Sequence, residues 1–205
     1  MSDPGRGRDT RAKMLEVAGR QFAAKGYEGA HLESIATEVG VRKTALYYYF
    51  ENKEALYVAV LEEMLAEFER SLGSSWDEKR SKAESLRAGA AALNDVLAAH
   101  PTFAQILIRI FVDRVPIDST RVRPYLERLI AGTVQFYEDG AAEGAFRPLS
   151  GAHVFQSILG AAIFHYAGGE FSARLLDVES IYSEKSTAER RDQFVEILLR
   201  GVLAD

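Results

Sequence analysis

The sequence predicts an all-α protein: a three-helix N-terminal domain, joined by a long fourth helix to a larger helical C-terminal domain. Three observations predict it. Apolar residues recur at helical spacing along much of the chain. The alternating Val, Ile and Thr pattern of strands, with its paired turn residues, is missing. Gly and Pro residues mark the places where the apolar stripes stop.

The first helix is expected from about Thr10 to Lys25, with Leu15, Ala18 and Phe22 on one face and Gly26 as its stop. A short second helix follows. Leu32, Ile35, Ala36 and Val39 form one stripe, and Gly40 ends it. A third short helix spans about Arg42 to Phe50. Asn52 is the expected N-cap of the fourth, which carries Leu56, Val60, Met64, Phe68 and Leu72 at spacings of four. After Gly73-Ser74-Ser75, five longer helices are expected: about Lys79–Ala99, Pro101–Asp113, Ser119–Glu143, Ala152–Gly168 and Thr187–Leu203. Pro101 suits a first helical position, where its missing N–H leaves nothing unpaired. The expected division is an arm over residues 1–9, a helix-turn-helix domain over 10–55 and a helical domain over 56–205.

Composition narrows the function. Of 205 residues, 47% are hydrophobic and 27% charged, an ordinary globular mixture. No apolar run reaches the roughly 20 residues of a membrane span, so no membrane partner is expected. The start, MSDPGRGRD, lacks the apolar core of a secretory signal, which predicts a cytoplasmic location. There are no cysteines, which removes disulfides, thiolate metal sites and cysteine nucleophiles. The net charge of -5 is unevenly spread. Residues 1–53 hold 9 Lys or Arg against 7 Asp or Glu; the remainder holds 16 against 23. A mildly basic head on an acidic body suits a DNA-facing end.

Residues 32–50 hold two short helices around a Gly-Val turn, the spacing of a helix-turn-helix unit. The second helix of such a unit must be short and polar on one side to enter a major groove about 12 Å wide. The run Gly40-Val41-Arg42-Lys43-Thr44-Ala45-Leu46-Tyr47-Tyr48-Tyr49-Phe50-Glu51-Asn52-Lys53-Glu54-Ala55-Leu56 closely resembles the tetracycline-repressor (TetR) family of bacterial regulators. Upstream, Phe22-Ala23-Ala24-Lys25-Gly26-Tyr27 and Ile35-Ala36 resemble it too. The resemblance covers about Thr10 to Val60.

The resemblance implies a double-stranded DNA operator as partner. Leu46 and Phe50 should pack inward, leaving Lys43, Thr44, Tyr47 and Tyr48 to face the groove. Lys43 can donate to guanine or phosphate, and Thr44 and Ala45 can touch a base edge or a thymine methyl. Tyr47 and Tyr49 match positions that approach the sugar-phosphate backbone, although Tyr49 stands beside Leu46 and Phe50 and could instead pack inward. Lys53 matches a phosphate-binding lysine at the start of the fourth helix. His31 stands where the family usually has Thr or Ser, and Arg42 where a small polar residue is common; both can still meet phosphate. Arg6, Arg8 and Arg11 could form a basic arm or a loose terminus.

The resemblance further implies a homodimer and a small apolar or aromatic effector, with repression as the default mode. The last two long helices should form the dimer seam through Phe155, Leu159, Ile163, Phe194, Ile197, Leu198 and Val202, unless those stripes face the chain's own core. The effector cavity should be lined from Met64, Phe68, Phe103, Leu107, Phe111, Tyr125, Phe136 and His165, each of which could also be ordinary core. Catalysis is not expected. The four histidines (His31, His100, His153, His165) are scattered, and no phosphate loop, dinucleotide fingerprint or Gly-x-Ser-x-Gly elbow occurs. No cofactor or metal is expected.

Overall fold

The computed structural model describes residues 4–73, 77, 79–113 and 122–204, with only the backbone described for 4–8. Ten helices are found there: α1 (Pro4–Gly29), α2 (Leu32–Val39), α3 (Lys43–Tyr49), α4 (Lys53–Gly73), α5 (Lys82–Ala99), α6 (Pro101–Val112), α7 (Arg123–Ala142), α8 (Gly151–Ala167), α9 (Glu170–Leu175) and α10 (Glu184–Val202). Extended pairing among the described residues is a single bridge, Phe146 to Leu203.

The head, α1 to α3, is built on local rules. Met14, Val17, Ala18 and Phe22 bury one face of α1. At Gly26 the backbone turns to φ 72°, ψ 175°, a conformation that only glycine adopts without strain, and the helix breaks there. Ile35, Ala36 and Val39 bury the facing side of α2. Gly40 then takes the left-handed conformation (φ 84°), and the Val41 N–H reaches back to the Ala36 carbonyl at 2.9 Å, closing the reverse turn. Polar contacts lock α1 onto α2: Gln21, buried, donates to Ser34 (3.1 Å) and Glu38 (2.7 Å), and Arg20 pairs with Glu38 at 2.8 Å. Lys13 donates to the Val39 carbonyl at the end of α2 (2.9 Å).

α4 is the spine. Asn52 caps it through its side-chain oxygen, which accepts from the Ala55 N–H at 2.8 Å. Leu56 to Leu61 are all buried, as are Met64, Leu65 and Phe68, because α1, α5 and α7 surround it. Ser81 and Glu84 form a reciprocal capping box at the start of α5. α5 and α6 then turn through 98° at His100, where Pro101 opens the next helix. No single helix among the described residues is long and apolar enough to cross a membrane.

The body closes on itself at the corner between α7 and α8. Phe146 packs over Gly140, where an added Cβ would lie 2.4 Å from its ring. The Arg147 N–H donates to the Val202 carbonyl (2.8 Å), Ala204 N–H to the Ala145 carbonyl (3.2 Å), and Tyr137 hydroxyl to the Arg147 carbonyl (3.0 Å). α10 lies along α5. Between α5, α8 and α10 a polar chain runs through the core: Tyr166 hydroxyl donates to Asn94 (2.9 Å), Asn94 to the Thr187 carbonyl (3.3 Å), and Tyr182 hydroxyl to the Tyr166 carbonyl (2.9 Å).

Three expectations change. The arm over residues 1–9 is instead helical from Pro4, a proline at a first helical position; Met1–Asp3 lie outside the described residues. α9 was not foreseen, since six residues are too few to show a helical period. The seventh helix begins at Arg123 rather than Ser119, whose neighbourhood (114–121) lies outside the described residues.

Candidate nucleic-acid interface

Leu46 (1% exposed) and Phe50 anchor α3 against the head's core, which fixes the rotation of the helix. Helical spacing then turns Arg42, Lys43, Thr44, Tyr47 and Tyr48 to solvent, with Ala45 and Tyr49 half-buried. Tyr47 is 48% and Tyr48 84% exposed, unusual for large aromatic side chains. Tyr49 leans between two rings, edge-on to Tyr48 (5.2 Å) and tilted against Phe50 (6.5 Å). It is half-buried, so part of it packs against the head and part remains at the surface.

The flanking cations are held rather than loose. The Lys53 ammonium lies 4.6 Å from the centre of the Tyr27 ring and donates to the Glu28 carbonyl at 3.1 Å. Tyr27 in turn stacks with Phe22 and meets Tyr57 edge-on at 5.2 Å, so one aromatic cluster joins α1 to the first turn of α4. The Arg11 guanidinium sits 5.6 Å over the Phe50 ring. Lys43 makes a contact that the sequence did not suggest: its ammonium donates to Glu33 Oε1 at 2.7 Å. Carboxylate and ammonium shift each other in opposite directions, Glu33 below and Lys43 above their ordinary pKa values, chiefly through that hydrogen bond. His31 precedes α2 with an extended backbone and makes no side-chain cap bond, and Arg42 does the same before α3, so both side chains are free of a capping duty.

A second unforeseen residue lies where the head meets the body. Arg109, on α6, donates to the carbonyls of Ala23 (Nε, 3.3 Å) and Ala24 (Nη2, 3.0 Å) and lies 3.6 Å from Asp113. A cation at the open carbonyls of a helix end also complements the helix dipole. Asp113 crowds Gly26 so closely that an added Cβ would come within 2.6 Å of its carboxylate. A groove of about 410 Å³ opens beside this joint, lined by Ala23, Ala24, Gln105, Ile108, Arg109, Val112 and Ala167.

The eight expected effector residues do not converge on one cavity. Met64, Phe68 and Leu107 are buried, and Phe68 packs on Phe103 at 5.7 Å. Phe136 lies under the Lys82 ammonium (5.2 Å) and edge-on to Phe146 (5.7 Å). Phe111 is 68% exposed, because the end of α6 runs past the core alongside α1. Tyr125 borders a cleft, about 180 Å³ in volume, with Leu65, Glu69, Arg128 and Leu129; Arg128 covers the Tyr125 ring at 4.7 Å. His165 is buried, its Nε2 lacks a hydrogen-bond partner, and burial together with the Arg190 charge pushes its pKa down to about 4.

The expected dimer seam also divides. Ile163, Phe194, Leu198 and Val202 are buried within the chain, whereas Ile197 is 67% exposed and Phe155 and Leu159 are half-buried. A stripe of apolar residues names the face that is covered, but here α5 covers most of it on α10. Phe164 on α8 (61% exposed), with Gly160 and Ala161 beside it, completes an outward face that the sequence reading assigned only in part.

A three-helix head carrying a helix-turn-helix with an exposed, aromatic-rich α3 is set on an all-α body. Residues 14–60 match the family model for bacterial regulatory proteins of the tetR family. Over those residues the chain is similar to that family. It is 24% identical over 196 residues, 94% of this chain and 92% of the relative, to the transcriptional repressor NicS of Pseudomonas putida. Over 52 residues, a quarter of each chain (25% and 24%), it is 50% identical to the transcriptional regulator RutR of Escherichia coli. Among solved structures, AibR in complex with isovaleryl coenzyme A and operator DNA superposes with a TM-score of 0.73 at 19% identity, over 92% of this chain and 97% of that one. Identity thus concentrates in the head, and the fold extends through the body.

Proposed function

We propose that this chain represses transcription by binding a palindromic operator as a homodimer, and that a small apolar or aromatic effector releases it. The observation that carries the reading is α3, held by Leu46 and Phe50 so that Lys43, Thr44, Tyr47 and Tyr48 stand in solvent. His31, Arg42, Tyr49 and Lys53 flank them and meet the backbone, and Ala45 approaches a base edge. One such helix discriminates poorly, since each good bidentate base contact is worth about 1–3 kcal/mol. Two copies on half-sites a helical turn or a multiple apart double the readout. The outward face of α8 and α10, with Phe155, Leu159, Phe164 and Ile197, supports pairing between copies.

Effector binding belongs to the body. Met64, Phe68, Phe103 and Leu107 surround an apolar interior, and the Tyr125–Arg128 cleft beside Glu69 is the proposed way in. A cleft of that size holds only a few atoms, so binding requires the helices to part. Because the interior is packed, an effector acts by favouring a different arrangement of α4 and α6. A thousandfold loss of operator affinity corresponds to about 4 kcal/mol of preference for that arrangement. Both helices reach the head: α4 begins at Lys53, and α6 holds α1 through Arg109.

The test is selection of duplexes from a random pool, followed by affinity measurement over a salt series. Enrichment of one palindrome, with affinity falling steeply as salt rises, is the expected result. Recovery of no preferred duplex would overturn the proposal.

A further inference from the structure

Most cations of the head are committed to holding it together, but Lys43 is not. Its partner Glu33 lies in the first turn of α2, ten positions earlier, and the pair bridges the turn of the helix-turn-helix on its open side. Both side chains are exposed, Glu33 more than Lys43, so the pair adds little to folding. A carboxylate beside α3 would also be costly to a surface meant to approach phosphates. An exposed acid that neither stabilises the fold nor helps attract DNA calls for another role.

The chemistry of lysine supplies one. A free lysine is a flexible point charge that pairs with any phosphate it meets, whatever the sequence. Fixed by one N–H on Glu33 Oε1, the Lys43 ammonium keeps two donors and a restricted set of positions. Two donors at a fixed place at the start of α3 match the paired O6 and N7 acceptors of guanine in the major groove.

Resting on the operator-binding reading above, we infer that Glu33 is a positioning residue for base readout: it holds Lys43 toward base edges and away from phosphate, and so raises sequence discrimination at the expense of overall DNA affinity.

The wild-type chain, Glu33→Gln, Lys43→Met and the double variant are compared on two duplexes, one selected from a random pool by the wild type and one of scrambled sequence. Anisotropy titrations run from 50 to 200 mM salt. In Glu33→Gln the freed ammonium should bind the scrambled duplex about fivefold tighter, with a salt slope steeper by about one phosphate contact. The ratio of selected to scrambled affinity should fall at least fivefold. In the Lys43→Met background the same substitution should change that ratio less than twofold. An unchanged ratio in Glu33→Gln overturns the inference, as does an equal fall in both backgrounds, which would make Glu33 a direct reader of bases. If the wild type selects no duplex, the operator reading fails first and takes this inference with it.

Discussion

Single residues set the orientation of the reading helix and the pH response of the core. Leu46 is the side chain that keeps α3 from rolling, and it is almost wholly buried. Leu46→Ala should cost about 2–5 kcal/mol of stability, read by denaturant unfolding, and should weaken DNA binding by more than any loss of folded protein explains. Lys53→Met should act differently. It removes a cation held at the surface by the Tyr27 ring and the Glu28 carbonyl, and should lower the salt slope of binding by about one, equally on selected and scrambled duplexes. His165 gives a signed pH prediction. Its folded pKa of about 4 lies below the ordinary value of 6.5, so the folded state binds the proton less well than the unfolded chain. Its contribution is complete above pH 6.5 and declines as the pH falls toward 4. Between pH 7 and pH 5 the wild type should lose about 2 kcal/mol from this group, and His165→Gln should lose much less in paired urea titrations.

At the scale of elements, what could be read in advance follows how far each interaction reaches along the chain. The head was legible because its signals are local. Gly40 ends α2 four residues from the carbonyl it satisfies, and Asn52 caps α4 three residues ahead. The motif from Gly40 to Leu56 carried the rest. The body was legible as helices but not as a site. Apolar period marks which side of α10 is covered, yet cannot say that the covering of Phe194 and Leu198 is α5, nor that Phe164 stands exposed. Arg109 was invisible because its carbonyl partners lie 86 and 85 positions away. Its role is testable at this scale. Arg109→Met keeps the stem and removes the bonds to α1; it should leave the folded body intact while loosening the head, read as faster amide exchange in α1 to α3 and weaker operator binding.

For the whole molecule, the proposed homodimer would pair through the face left open by α8 and α10. Ile197→Glu places a charge at its centre, away from the core. The expected outcome is a monomer in sedimentation, with a half-site affinity retained and the preference for a palindrome lost; an unchanged dimer would place the pairing surface elsewhere. The joint between the two parts has a consequence of its own. The Arg109 guanidinium spans two successive carbonyls of α1, and bonds of this length do not stretch by an ångström and survive. A displacement of α6 must therefore either carry α1 with it as one piece or let go altogether. Geometry of that kind has no halfway position, so an effector of the proposed kind would switch each molecule outright rather than weaken it by degrees.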